Sequence, residues 1–278
     1  MTPALSQALR PSPCRAAQNY LQRTSGLGAQ FTQPIIRYLN ALTAGALFNP
    51  DGTTSFFDTL YIFGNQDPTN ALLNVVSASF TCTPNGSPVF TPCLGYAGVD
   101  ASSTVYLDTG LNPTLGSPKY TQNSAHVSAW SNTNVASGSN GGTVSGIIDN
   151  PFYTQLVAKF SDGNSYFRVN DTPGTATAGV ANADATGHYL ANRSGASAQQ
   201  GYRNAVDQGV VATTSATPTS GNFYILAVDN LVLPGGWNGS EDQLTMASVG
   251  ANLNPGNVAV FFNATKALVF DIGRAIAA

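Results

Sequence analysis

Charge is what this sequence has least of. Only 9% of its 278 residues are Asp, Glu, Lys or Arg, against roughly 25% in an average globular protein. Lysine stands only at positions 119, 159 and 266, Glu241 is the single glutamate, and the net charge is −3. A chain this poor in cations has no basic run with which to neutralise phosphates, so no nucleic-acid partner is expected. The composition also excludes a coiled coil and a disordered chain of high net charge. No stretch approaches the ~18 apolar residues of a membrane span, and no membrane partner is expected. The first twenty residues, MTPALSQALRPSPCRAAQNY, lack a basic segment followed by an apolar core. No secretory signal is read there, and synthesis in a cytoplasm is expected.

Catalytic and metal-binding residue types are equally sparse. With one glutamate, the paired carboxylates of sandwich glycosidases have no evident counterpart. The only histidines, His126 and His188, have no G-x-S-x-G elbow to serve and no second ligand type nearby. No catalytic residue, metal site or cofactor is therefore assigned. Asp162-Gly163-Asn164 and Asn170-Asp171 offer oxygen ligands to calcium on paper but read as turn formers. Three cysteines, Cys14, Cys82 and Cys93, cannot make a disulfide framework. Cys82 and Cys93 lie almost symmetrically about the turn signal Asn85-Gly86-Ser87-Pro88. A hairpin there would set them face to face, as reduced thiols in a cytoplasm and as a disulfide in an oxidising medium.

What fills the sequence instead is Gly, Ser, Thr, Asn and Ala, a bias that suits short strands and polar turns, over 42% hydrophobic content that is ample for a core. Residues 1–75 read as a helical anchoring or assembly region. Ser12-Pro13 is a cap and first helical position, Gly26-Leu27-Gly28 a break, and Phe31, Ile35, Ile36, Leu39 and Leu42 an amphipathic helix ended by Asn49-Pro50-Asp51-Gly52. FFDTLYIFGNQDPTNALLNVV reads as a further helix with a short strand-like entry. From residue 76 to 253 the period becomes two. Strands are predicted over Ser77–Thr81, Val89–Tyr96, Thr104–Leu107, Tyr120–Trp130, Thr143–Ile148, Gln155–Phe160 and Ser165–Val169. Further strands are predicted over His188–Arg193, Gln200–Asn204, Val210–Thr214 and Asn222–Val228. Strands at roughly ten-residue spacing, with turns between them, predict an antiparallel β-sandwich. At residues 254–278, Asn254 as cap and Pro255 at the first position open a C-terminal helix carrying Val258, Phe261, Phe262, Leu268, Val269 and Ile272.

The stretch YTQNSAHVSAW, residues 120–130, has two unlike faces. Ala125, Val127 and Ala129 suit a core, and Ser124, His126, Ser128 and Trp130 face the other way. That second face is either a glycan-binding surface or the seat of the terminal helices. Packing is the favoured reading, because amphipathic helices at both ends need an apolar surface and small serines let a layer approach closely. The glycan-binding candidates are Trp130, His126, Trp237 in the loop LPGGWNGS, Asn192 and Tyr202. An exposed Trp beside Asn and Ser can stack on a sugar and bond its hydroxyls. The apolar faces of residues 31–42 and 258–272 also suggest self-association.

Several motifs in sequence order resemble a group of bacteriophage and prophage proteins: FFDTLYIFGNQDPTNALLNVV, GYAGVDASSTVYLDTGLNP, YTQNSAHVSAW, HYLANRSGASAQQGYRN, GNFYILAVDN and MASVGANLNP. The resemblance spans about residues 55–262. It implies a concanavalin A-like (laminin-G-like) jelly-roll domain in a virion surface component such as a tail fibre, head decoration or spike. The role implied is structural or adhesive, with other virion proteins, copies of itself (a trimer first) and host surface polysaccharide as partners. The class-distinct alternative is a carbohydrate-active enzyme or free lectin.

Overall fold

In the computed structural model the described residues are 11–99, 104–116, 119–135, 143–149, 152–172, 179–210, 213–231, 236–237 and 239–276. Among them the chain is mainly β, with four helices, and its strands form two sheets packed as a jelly-roll sandwich. The first sheet runs in the order β13 (Val206–Asp207), β12 (Ala198–Arg203), β11 (Gly187–Gly195), β6 (Ala125–Ser131), β17 (Gln243–Gly250), β4 (Gly95–Ala97), β3 (Val89–Thr91). Strand β1 (Phe57–Ile62) also pairs with β17. The second runs β10 (Val180–Ala181), β9 (Asn164–Asp171), β8 (Phe152–Val157), β7 (Thr143–Asp149), β14 (Tyr224–Ile225), β5 (Tyr106–Asp108), β2 (Thr83–Asn85). Beside β7 lies β15 (Val228–Asn230), in the one parallel pairing described, and β16 (Gly236–Trp237) pairs with β15.

Between the sheets sits one apolar cluster. Val127, Ala129, Tyr189 and Ala247 of the first sheet meet Leu156, Phe167, Val169 and Ile225 of the second. A second cluster fills the other side of the first sheet, where helices α1 (Arg15–Leu21), α2 (Ala29–Ala44) and α4 (Pro255–Ile276) form a third layer. The predicted stripe of α2 is buried throughout. In α4 the side chain of Asn254 accepts a bond from the Asn257 N–H (2.9 Å), Pro255 opens the helix, and Val258, Phe261, Leu268 and Ile272 are buried. The face reading Ser124, His126, Ser128 and Trp130 is thus largely a helix seat, as the packing reading expects. The apolar faces of residues 31–42 and 258–272 are in large part covered within one chain, with Phe262 and Val269 half-buried.

Several expectations are corrected. The boundary at residue 75 falls too late, since β1 is already a sheet strand. Its six residues are all buried, so it shows no alternation that would mark it as β. In the same stretch the helix is a single turn, α3 (Pro68–Ala71), capped by Asp67. Helix α1 starts at Arg15 rather than at Ser12-Pro13, because residues 12–14 are tied to α2 instead: Asn40 bonds both the Cys14 N–H and the Ser12 carbonyl. The run Asn222–Val228 is two short strands, broken where Leu226 takes a positive φ of 69°. Ser77–Thr81 forms no strand, and Val89–Tyr96 is two strands folded on each other. Strand Val210–Thr214 lies partly outside the described residues. Asp162-Gly163-Asn164 is a turn, whereas Asn170 and Asp171 are buried in β9.

The cysteine hairpin is also corrected. Strands β2 and β3 flank Asn85-Gly86-Ser87-Pro88 but belong to different sheets, β2 pairing with β5 and β3 with β4. Cys82 is buried in the inter-sheet cluster, Cys93 belongs to the cluster on the helical side, and both are free thiols. The folded protein is expected to give no Cys82–Cys93 crosslink under mild oxidant, as read by peptide mass spectrometry. A crosslink formed without unfolding would contradict the strand assignment.

Both histidines lie under the helical layer. The Nδ1–H of His126 donates to the Ala251 carbonyl, so Nε2 is the acceptor and takes a bond from the Ser248 hydroxyl (2.9 Å), which Ser128 supports in turn (2.7 Å). His188 packs against Phe261 (ring centroids 5.2 Å apart), Trp130 and Phe262, and among the described residues neither of its ring nitrogens has a hydrogen-bond partner. Burial lowers the His126 pKa to about 4, and burial together with nearby His126 lowers that of His188 to about 3. Unfolding between those values and pH 6.5 therefore takes up protons on both rings, and stability falls as pH drops through this window. Buried Asp242, raised to about 6, opposes the trend by one proton below pH 6. Calorimetry should show Tm decreasing from pH 7 to pH 5. His188→Phe, which removes two unsatisfied nitrogens from an aromatic nest, should raise Tm and flatten the decrease. A Tm that holds or rises on acidification would refute the neutral, buried assignment.

Candidate functional site

Where the helical layer ends, Trp130 at the C-terminal part of β6 is left half-buried. Its indole stacks on Phe262 of α4 (6.2 Å between centroids, 13° between planes) and on His188, its register partner in β11 (6.3 Å, 23°). Beside it opens a cleft of about 450 Å³, inside the roughly 300–1,000 Å³ range of small-molecule sites. Trp130 and Phe262 supply its apolar surface; Asp184, Thr186, Arg203 and Asn204 line it from the sheet edge, and Lys266 from the helix.

The polar residues are held by bonds that predate any ligand. Arg203, on β12, donates through Nη2 to Asp184 Oδ2 (3.3 Å) and to the Thr186 carbonyl (3.2 Å), and its guanidinium lies 5.8 Å from the Tyr189 ring centroid. Asp184 also accepts from the Thr186 N–H and hydroxyl, and these bonds with Arg203 hold its carboxyl below the usual range. Asn204 takes a positive φ of 51° in the tight turn between β12 and β13, where its side chain accepts from the His188 N–H (2.9 Å). Gly187 is required opposite it, since a Cβ there would stand 2.5 Å from Asn204 Oδ1. Lys266 follows Phe262 by one turn, and its Nζ lies 5.8 Å from that ring's centroid. Asn132 Nδ2 on another wall bonds the Leu94 carbonyl (2.9 Å).

The structure separates the five sequence-derived candidates. Trp130 lines the cleft. His126, Asn192 and Tyr202 are 0%, 1% and 5% exposed and do not present a surface to ligand. Asn192 clamps the entry to α4, its side chain bonding both the N–H (2.8 Å) and the carbonyl (3.1 Å) of Leu253. Tyr202 packs in the helical-side cluster. These three are structural, because their polar atoms or rings are consumed by the packing of the third layer. For Trp237 only the strand position is described, paired with Val228 in the second sheet. Arg203, Asp184 and Lys266 were not anticipated. They come from distant segments, and the only available signal was Lys266 falling four residues after Phe262 on an amphipathic helix.

The site thus lies at the ends of strands β6, β11 and β12 of a β-sandwich carrying a helical layer. No protein-family model matches the sequence, and no curated protein does. Among solved structures the chain is similar to domain 4 of the extracellular arabinanase AbnA from Geobacillus stearothermophilus, solved with arabinotriose. That match has 15% identity and TM-score 0.44, covering 73% of this chain and 97% of that one. It is also similar to Trypanosoma rangeli sialidase (10%, TM-score 0.49, covering 85% of this chain and 39% of that one). A third is the binding domain of Paraclostridial Mosquitocidal Protein 1 (10%, TM-score 0.48, 75% and 52%). The chain spans about two fifths of the sialidase and half of the toxin domain. At these identities the similarity concerns chain path alone.

Trp130→Ala removes the indole from its contacts with Phe262 and His188. It is expected to lower stability by about 3 kcal/mol, the low end for a large aromatic because one side is open. Urea unfolding measures this, and a loss below about 1 kcal/mol would show that the indole does not hold the helix to the sheet.

Proposed function

We propose that this protein is a non-catalytic bacteriophage surface component that engages host-surface glycan through the Trp130 cleft. The observation that carries the binding part is the combination in one cleft of a half-exposed indole with fixed polar side chains. A pyranose ring offers an apolar face and a rim of hydroxyls, which an aromatic platform and bonded polar groups can match. Among the described lining residues Asp184 is the only carboxylate, and it is already engaged by Thr186 and Arg203. Glycoside hydrolysis ordinarily uses two carboxylates across the bond, so binding without cleavage is favoured over the enzyme alternative. The phage part rests on the sequence motifs, with other virion proteins and further copies of the chain as its partners in the particle.

Two measurements test the reading. Purified particles should contain the protein at fixed stoichiometry. In a Trp237→Phe background, where Trp130 is the sole tryptophan, host-surface polysaccharide should change the fluorescence saturably and be recovered at its original chain length. Shortened polysaccharide would establish the enzyme alternative, and no spectral response to any surface polysaccharide would remove the binding role.

A further inference from the structure

We infer that the sugar taken by this cleft is acidic, carrying a carboxylate or sulfate, and that Arg203 and Lys266 recognise its negative group while Trp130 carries the ring. The inference rests on the glycan reading above and adds the ligand's charge. The chain is anionic overall, at −3, and has eleven basic residues. Most of the described ones are committed elsewhere: Arg193 is fully buried against Asp171 (3.0 Å), Arg37 pairs with Asp271 (2.9 Å), and Arg23 caps the carbonyls of Asn74, Val75 and Ser77. Two basic residues nonetheless line this one cleft, against a single carboxylate.

Their state of engagement points to an anion. Arg203 places one terminal nitrogen, Nη2, on Asp184 and Thr186. Among the described residues its other terminal nitrogen, Nη1, makes no hydrogen bond, and its Nε is buried without a partner. A guanidinium held at one nitrogen by a carboxylate keeps its orientation and still has donors in its rigid fork. Lys266 is exposed, has no carboxylate partner among the described residues, and leans over Phe262 at the cleft. The two cations come from β12 and α4, so an anionic group entering beside Trp130 meets a donor from the sheet side and a donor from the helix side. A neutral sugar would leave Lys266 without a countercharge and the free terminal nitrogen of Arg203 without an anionic acceptor, so the cleft distinguishes the two.

The test uses the full chain carrying Trp237→Phe and reads Trp130 fluorescence. The probes are sialyllactose against lactose, hyaluronan oligosaccharides against their carboxyl-reduced forms, and a sulfated against an unsulfated galactan. The acidic member of at least one pair should bind about tenfold tighter in low salt, the size of one charge-assisted hydrogen bond, with the gap narrowing in high salt. Comparing the carboxylate and sulfate arms identifies the anionic group. Lys266→Met, at an exposed site that folding does not need, and Arg203→Met should each reduce the ratio of acidic to neutral affinity. Equal binding of acidic and neutral members, or a preference that neither substitution moves, overturns the inference and leaves the glycan reading standing. No binding by any member overturns both.

Discussion

A β-sheet with two apolar faces must be covered twice, and this chain covers the second face with its own ends. The first sheet buries Val127 and Ala129 against the other sheet and turns Leu190, Met246 and Leu60 toward the helices. That second interface is where α1, α2 and α4, which also pack on one another, bury the rest of their apolar stripes. It also explains why both histidines are neutral, why Ser124, Ser128 and Ser248 are small, and why Phe261 contacts both Phe57 and His188. Small hydroxyl side chains in the seat let α4 and the segment before it approach closely. Each hydroxyl is then satisfied locally, Ser124 by Asn252 and Ser128 by Ser248.

Between the sheets a different device operates. Arg193 on β11 is fully buried and reaches across the sandwich, donating to the Val169 carbonyl, to Asp171 and to the Thr213 carbonyl. Beside it Gln199 donates to the Phe167 carbonyl. Such a pair is weak evidence for net stability, since desolvating both charges offsets most of their attraction, yet removing one partner strands the other. Its geometric effect is plain: an arginine that must find Val169 and Asp171 together fixes how one sheet slides over the other. The Tyr120 hydroxyl, bonded to Asn170 and Thr154, acts on the same strands.

Much of this was legible in the sequence, in proportion to how cleanly each element separates a wet from a dry side. Strand β6 announced its two faces by alternating Ala/Val with Ser/His/Trp, and α4 announced its start by Asn254-Pro255. Strand β17 was not anticipated: QLTMASVG is buried over nearly its full length, so no alternation survives to be read. The Asn85–Pro88 turn was read as a hairpin because turn residues look alike whether the chain returns to the same sheet or crosses to the other. His126, Asn192 and Tyr202 have the chemistry of a binding site, but side-chain type carries no information about what will be packed over it. The cleft's charged residues meet only through topology, β11 and β12 presenting one wall and a helix some sixty residues later presenting the other.

The position of the cleft follows from the covering layer itself. Helix α4 lies across the sheet with Phe261 against Phe57 and His188, while half-buried Phe262, one residue on, packs on Trp130 and His188 where the layer ends. An indole at the edge of a helix seat is therefore both a packing residue and a partly wet platform, and the two roles share one surface. Because Phe262 and Lys266 line the cleft from α4, a ligand there contacts the helix and the sheet together. A ligand held by both elements would favour the folded state with α4 seated on the sheet, in proportion to occupancy. The helical layer that the sheet needs for its own burial is thus also what gives the cleft its second wall, so the C-terminal helix joins fold and cleft in one element.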